Sequence, residues 1–228
     1  MDINYRIARS KKRKKTISLQ VRSASEIIVS APCFTSAAEI SRFVEEKQKW
    51  IRKIIRKQKE EASKNKAREY QTGENFLYMG QTYPLEVFFE PFENAGVVFW
   101  KNRFYLNAQD NKELKKNYFV SWYKQKAAEY IIQRIEFYSR ILKPHPAKIR
   151  ITSAKSRWGS CSGDDNLAFS FRLMMTPPAI IDYVIVHELA HIREKNHASN
   201  FWQLVASVIP EYKNHRRWLR ENHHKFNL

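Results

Sequence analysis

The chain has 228 residues, 43% of them hydrophobic, with 6 Trp, 11 Tyr and 14 Phe; it can build a sizeable core and is unlike a disordered chain. Its 2 cysteines, Cys33 and Cys161, exclude a disulfide framework and a four-cysteine zinc site. No apolar run reaches the length of a membrane span, and Met1 to Arg6 carries no signal region, so a reducing cytoplasm is the expected location.

The net charge of +18 is uneven: residues 1–68 hold 19 Lys and Arg against 7 Asp and Glu. Such a field attracts nucleic acid, nucleotides or acidic proteins, or else keeps one face solvated. Ile3, Tyr5 and Ile7 alternate, as do Ile17, Leu19 and Val21, and then Ile27 and Val29. This period of two predicts three short strands, with the basic run Lys11 to Lys15 in the first connection. Ala31-Pro32 ends the sheet. Ser36 and Glu39 have the spacing of a capping box and start a helix whose apolar stripe is Ile40, Phe43, Val44, Trp50, Ile51, Ile54 and Ile55. Beyond Gln58 the stripe fades into a polar extension reaching about Glu69.

A second β region follows, with strands at Gly73 to Met79, Tyr83 to Phe89, Val97 to Trp100 and Phe104 to Leu106, arranged as antiparallel hairpins. A tight turn is expected at Lys101-Asn102-Arg103, although it contains no Gly. A long helix from about Asn111 to Leu142 takes Leu114, Tyr118, Trp122, Ile131, Ile132 and Ile135 as anchors, and Pro144 and Pro146 stop it. Strands return at Ile149 and Ile151 and at Leu167, Phe169 and Phe171. A boundary near residue 108 is expected, with 1–108 a basic β/helix region and 109–228 a zinc metallohydrolase core, the two also able to pack as one compact unit, and the whole α+β.

His187-Glu188-Leu189-Ala190-His191 lies inside the apolar stretch Ile180 to Ile192. Two histidines four apart on a helix project to the same side and can grip one zinc ion, while the glutamate between them reaches a water beside it. Thr176 suits an N-cap, and Pro177 and Pro178 suit a first turn. The helix is apolar nearly all round and should be buried, so a polar His, Glu and His on one side point to coordination rather than to a satisfied pair of core histidines. Catalytic zinc takes three protein ligands and keeps one open position. His197 is the nearest third imidazole, reached if the helix ends near Lys195 and Asn196 adopts a left-handed turn. Glu211 is the rival, and His215, His223 and His224 are weaker candidates. The His191 to His197 spacing is that of metzincins, but Glu194 replaces their Gly and no Met-turn follows.

Three segments together resemble the YgjP-like metallopeptidases, relatives of the WLM and SprT-like zinc proteases. They are Ser156-Arg157-Trp158-Gly159-Ser160-Cys161-Ser162, then Tyr183 to His191, then Asn196-His197 with Phe201-Trp202. Ala31-Pro32 and Lys49-Trp50-Ile51 extend the likeness over nearly the whole chain. The resemblance implies a zincin-like core of minimal gluzincin type, Zn2+ held by His187, His191 and His197, and Glu188 as catalytic base acting on a peptide bond. Arg157, Trp158 and Gly159 are candidates for substrate binding, with Gly159 allowing close backbone approach. Arg157, Tyr183 and His215 are candidate oxyanion donors. Two other functions are open: hydrolysis of a nucleotide phosphoanhydride by a metal-activated water, and a nucleic-acid-binding module with a structural zinc, in which Phe43 and Trp50 would stack on bases. The chain has no P-loop and no acidic cluster for Mg2+, which weighs against ordinary nucleotidases.

Overall fold

The computed structural model describes residues 3–22, 26–64, 68–91, 94–226 and 228, with the backbone alone at 57–64 and 224. The chain divides into two compact units, Met1–Lys66 and Ala67–Leu228. Among the described residues the fold is α+β, with three small sheets and six α-helices.

In the first unit β1 (Arg6–Ser10), β2 (Ser18–Val21) and β3 (Ile27–Pro32) form a sheet of order β1-β3-β2. β1 runs parallel to β3, and β2 runs antiparallel to it. Helix α1 (Ala37–Glu46) begins with the capping box: Glu39 N donates to Ser36 Oγ at 3.2 Å, and Ser36 N donates to Glu39 Oε2 at 2.9 Å. The expected single helix is broken at Lys47 (φ −90°, ψ 0°), and α2 (Gln48–Lys64) continues beyond it. The polar extension expected to Glu69 passes through residues 65–67, outside the described residues. Ile27, Val29, Ala31, Ile40, Val44 and Ile51 make the core. Trp50 does not join it: its side chain is 46% exposed. At 100° per residue Ile51 lies about 20° from Ile40 around the helix and Trp50 about 80° from it, so Trp50 falls at the margin of the stripe.

The second unit opens with β4 (Asn75–Tyr78), β5 (Gln81–Phe88), β6 (Gly96–Trp100) and β7 (Arg103–Asn107), in the order β4-β5-β7-β6. The two hairpins are antiparallel, but β5 pairs with β7 in parallel, which no local pattern encodes. Lys101 and Asn102 make their two-residue turn at φ 45° and 59° without glycine. The equivalent turn at Met79-Gly80 needs its glycine for another reason. A Cβ on Gly80 would lie 2.8 Å from Pro177 Cγ and 2.9 Å from its backbone. The hairpin thus seats against the start of the next-but-one helix, aided by Met79 N donating to Met174 O at 2.8 Å.

Helix α3 (Lys112–Leu142) is capped by Asn111, whose side chain accepts from Leu114 N. It buries Phe119, Trp122, Tyr123, Ala127, Ile131 and Ile135, while the expected anchor Ile132 is 41% exposed. Phe119 stacks on Phe76 at 4.1 Å, and Phe104 meets Trp122 edge-on at 5.1 Å. Strands 75–107 therefore share one core with α3, and the expected boundary near 108 falls inside this unit. β8 (Lys148–Thr152), β9 (Gly159–Cys161) and β10 (Asn166–Ser170) form the third sheet, of order β8-β10-β9, with β9 at its edge. A 3-10 turn, Phe171–Met175, leads into α4 (Pro178–Arg193). Thr176 is not its N-cap: Pro177 holds that position, and the Thr176 hydroxyl donates back to Leu173 O at 2.8 Å. Arg134 of α3 grips Asp182 of α4 through two bonds of 2.7 and 2.8 Å, which fixes the pair of helices against each other. The chain continues through α5 (Ser199–Val208) and α6 (Tyr212–Asn222). None of the described helices is long and apolar enough to cross a membrane.

Candidate metal centre

α4 is buried over most of its circumference, as its sequence requires, with Ile181, Ile185, Val186, Leu189 and Ala190 in the core. Its polar residues gather on one side. His187, Glu188 and His191 line a cleft of about 760 Å³, together with Lys195 and His197 from the following loop and residues Gly159 to Gly163 of β9 and its turn. The helix ends at Arg193, and the chain turns back through Glu194 in an extended conformation (φ −120°, ψ 94°), not through a left-handed Asn196. Asn196 instead accepts from Ala198 N at 3.1 Å, which shapes the approach to α5.

This turn carries His197 onto the helical pair. Its Nε2 lies 3.1 Å from His187 Nε2 and 3.1 Å from His191 Nε2. The ligand atoms of the three residues all lie within 4.8 Å of one another, and among the described residues they form a group that could hold a metal ion. The arrangement fits an ion well. Tetrahedral zinc with bonds of about 2.0–2.1 Å sets neighbouring ligand nitrogens roughly 3.3 Å apart. One N–H on His197 can donate to only one of the two facing Nε2 atoms, whereas a cation between them can accept a lone pair from all three. His191 Nδ1 sits 3.0 Å from Glu194 O, a geometry that places the proton on Nδ1 and leaves Nε2 as a lone pair. Burial lowers the pKa of His187 to about 3, with help from His191 and His197, and burial also lowers that of His197, so both favour the neutral form.

Glu188 is 6% exposed. Burial raises its pKa to about 7. Its room comes from Gly159: a Cβ there would lie 2.6 Å from Glu188 Cγ and 2.7 Å from Oε1. Gly159 therefore gives space to the glutamate, a role distinct from the close substrate approach expected of it. Trp158 meets Phe226 edge-on at 5.3 Å, and its carbonyl accepts from Ser170 N at 2.8 Å. Arg157 lies outside the cleft, in hollows bordered by Ser160 and Ala168.

Glu211 is absent from the ligand group and occupies the N-cap position of α6. His215 stands 6.0 Å from the ring of Tyr183, itself 5.8 Å from that of His187. Burial raises the Tyr183 phenol to about 12, keeping it protonated. The His223 ring contacts Arg220 O, and the His224 side chain is outside the described residues.

An aromatic bed lies beneath the histidines, a role that the spacing of Phe201 and Trp202 alone does not reveal. Phe201 of α5 is fully buried, with its ring 4.9, 4.4 and 4.7 Å from those of His187, His191 and His197. Trp202 stacks on His197 at 5.4 Å and on Tyr212 at 5.1 Å, and Arg216 covers it at 5.1 Å. The signal was the position of Phe201, four residues after His197 on a helix start. Burial also raises the Cys161 thiol, which keeps it protonated at the cleft wall.

A family model described as YgjP-like, metallopeptidase domain, matches residues 15–222. Among solved structures, the crystal structure of the metallopeptidase zymogen of Pyrococcus abyssi abylysin is similar at 23% identity and a TM-score of 0.37, over 40% of this chain and 93% of that one. No curated protein sequence matches the chain.

Proposed function

The chain belongs to the YgjP-like metallopeptidase domain family, and we propose that its cleft is the active site of a zinc-dependent peptidase with a zincin-like core. His187, His191 and His197 hold the ion through their Nε2 atoms. Zinc bound there supplies Lewis acidity and brings the pKa of a coordinated water towards neutrality. Glu188 is the general base. Its carboxylate accepts a proton at the cleft floor and, with a proton affinity raised by burial, can pass it to the departing amine. The edge strand β9 offers unpaired backbone groups along the cleft wall, on which an extended peptide can lie as an added strand.

The convergence of three imidazole Nε2 atoms beside a buried glutamate carries this reading. The test compares metal-loaded wild type with Glu188→Gln on unfolded proteins and on nucleoside triphosphates. The near-isosteric amide should keep fold and zinc while hydrolysis of proteins falls by about 10²–10⁴-fold. Unchanged turnover in that variant would remove Glu188 from its role. Cleavage of triphosphates and not of proteins would replace the peptidase reading.

A further inference from the structure

The outer face of the β8-β10-β9 sheet holds a groove of about 430 Å³ on the far side of β9 from α4. Lys148 and Arg150 alternate along β8 and so share that face, while Ile149 packs against the core. The register sets Asn166 opposite Lys148 and Ala168 opposite Arg150, so the short Ala168 side chain leaves the middle of the groove open. Arg157, just before β9, also lines the groove. Lys148, Arg150 and Arg157 are exposed, and none makes an ion pair among the described residues. Asp164 is the carboxylate that lines the groove, so positive charge is in excess there. The groove and the metal cleft meet at Ser160, Cys161 and Ser162, which line both.

We propose that this groove is an acidic-residue subsite, in which Arg157, Arg150 and Lys148 receive carboxylate side chains of the peptide substrate. The proposal rests on the peptidase reading. An extended peptide lying along β9 sends alternate side chains to opposite faces, and one set falls on the groove side. Guanidinium groups match carboxylates with two parallel hydrogen bonds. Two features favour an acidic peptide over nucleic acid. No aromatic side chain lines this groove to stack a base. Its volume suits a few side chains rather than a duplex.

Two fluorescent peptides of equal length test this, one carrying Glu on both sides of the scissile bond and the other Gln. At low salt the Glu peptide should be cleaved with at least about tenfold higher kcat/KM, chiefly through KM, and the preference should shrink as salt rises. In Lys148→Glu/Arg150→Glu, with an unchanged melting temperature, the ratio should fall towards one. Binding to Glu188→Gln protein, read by anisotropy, reports the groove without turnover and should show the same preference. Equal affinity for the two peptides overturns the subsite while leaving the peptidase reading intact if both are cleaved. If zinc-loaded wild type cleaves no peptide at all, the peptidase reading falls and the subsite with it. Displacement of the Glu peptide by single-stranded DNA at lower concentration, lost in the same variant, would make the groove a nucleic-acid site instead.

Discussion

Gly159→Ala isolates the support of the proposed base. Gly159 does not occupy the left-handed region, so alanine strains no backbone, and its methyl group is the whole perturbation. That methyl would lie 2.6 Å from Glu188 Cγ, 2.7 Å from Oε1 and 2.9 Å from Cδ. Comfortable carbon–carbon contact is about 3.5–4.0 Å, so the carboxylate or strand β9 must give way by roughly 1 Å. A misplacement of about 1 Å at a reacting group costs about 10²-fold in rate, or about 2.7 kcal/mol of barrier. Overpacking costs a further ~1–3 kcal/mol of stability. The expected result is a kcat about a hundredfold lower with a much smaller change in KM. Zinc content should stay at the wild-type level, because the three atoms nearest the added methyl group all belong to Glu188 and none to the histidines. Peptide kinetics, metal analysis and a thermal melt read these three quantities. A kcat within threefold of wild type in a folded, zinc-loaded variant would refute the steric reasoning, and loss of zinc alongside activity would move the role of Gly159 to the ligands.

Further outcomes are expected elsewhere. His197→Ala should lose most bound zinc and Glu211→Ala should keep it; metal analysis showing full zinc in His197→Ala would sink the ligand assignment. Phe201→Ala removes the ring beneath all three histidines, and should lower stability by about 3–5 kcal/mol in denaturant melts and weaken zinc retention against a chelator. The Ser36 backbone N–H, then its side chain, holds the Glu39 carboxyl below its ordinary range. Its stabilisation is therefore complete above the ordinary carboxylate pKa and lost as pH falls through the lowered one, and Glu39→Gln should flatten that acid limb in melts run from pH 3 to 7. Finally, the exposed Lys11, Lys12, Lys14 and Lys15, with Arg13, should give salt-dependent, sequence-independent binding to polyanions. Neutralising all five should flatten the salt slope without removing zinc, and a wild type that binds no DNA, RNA or acidic protein at low salt would show these charges to be a solvated face.

Much of this protein is written in short-range pattern. Alternation marks the strands around Leu19, Val29, Leu85 and Phe169, and the four-residue spacing of His187 and His191 places both rings on one side of α4 before any tertiary contact is considered, because helix geometry alone sets it. The capping box at Ser36 and the Asn111 cap are likewise local hydrogen bonds. Other features depend on residues far apart in the chain. The parallel pairing of β5 with β7, the merger of residues 75–107 with α3 into one core, and the exposure of Trp50 after the break at Lys47 follow from which surfaces bury one another. The site has the same division. Sequence spacing supplies the imidazoles, but only the folded chain brings Gly159 under Glu188, sets Phe201 beneath the three rings and turns Arg157 away from the cleft. Backbone geometry repeats along a chain and can be read from it, whereas the space left by a missing methyl group exists only once two distant segments have packed.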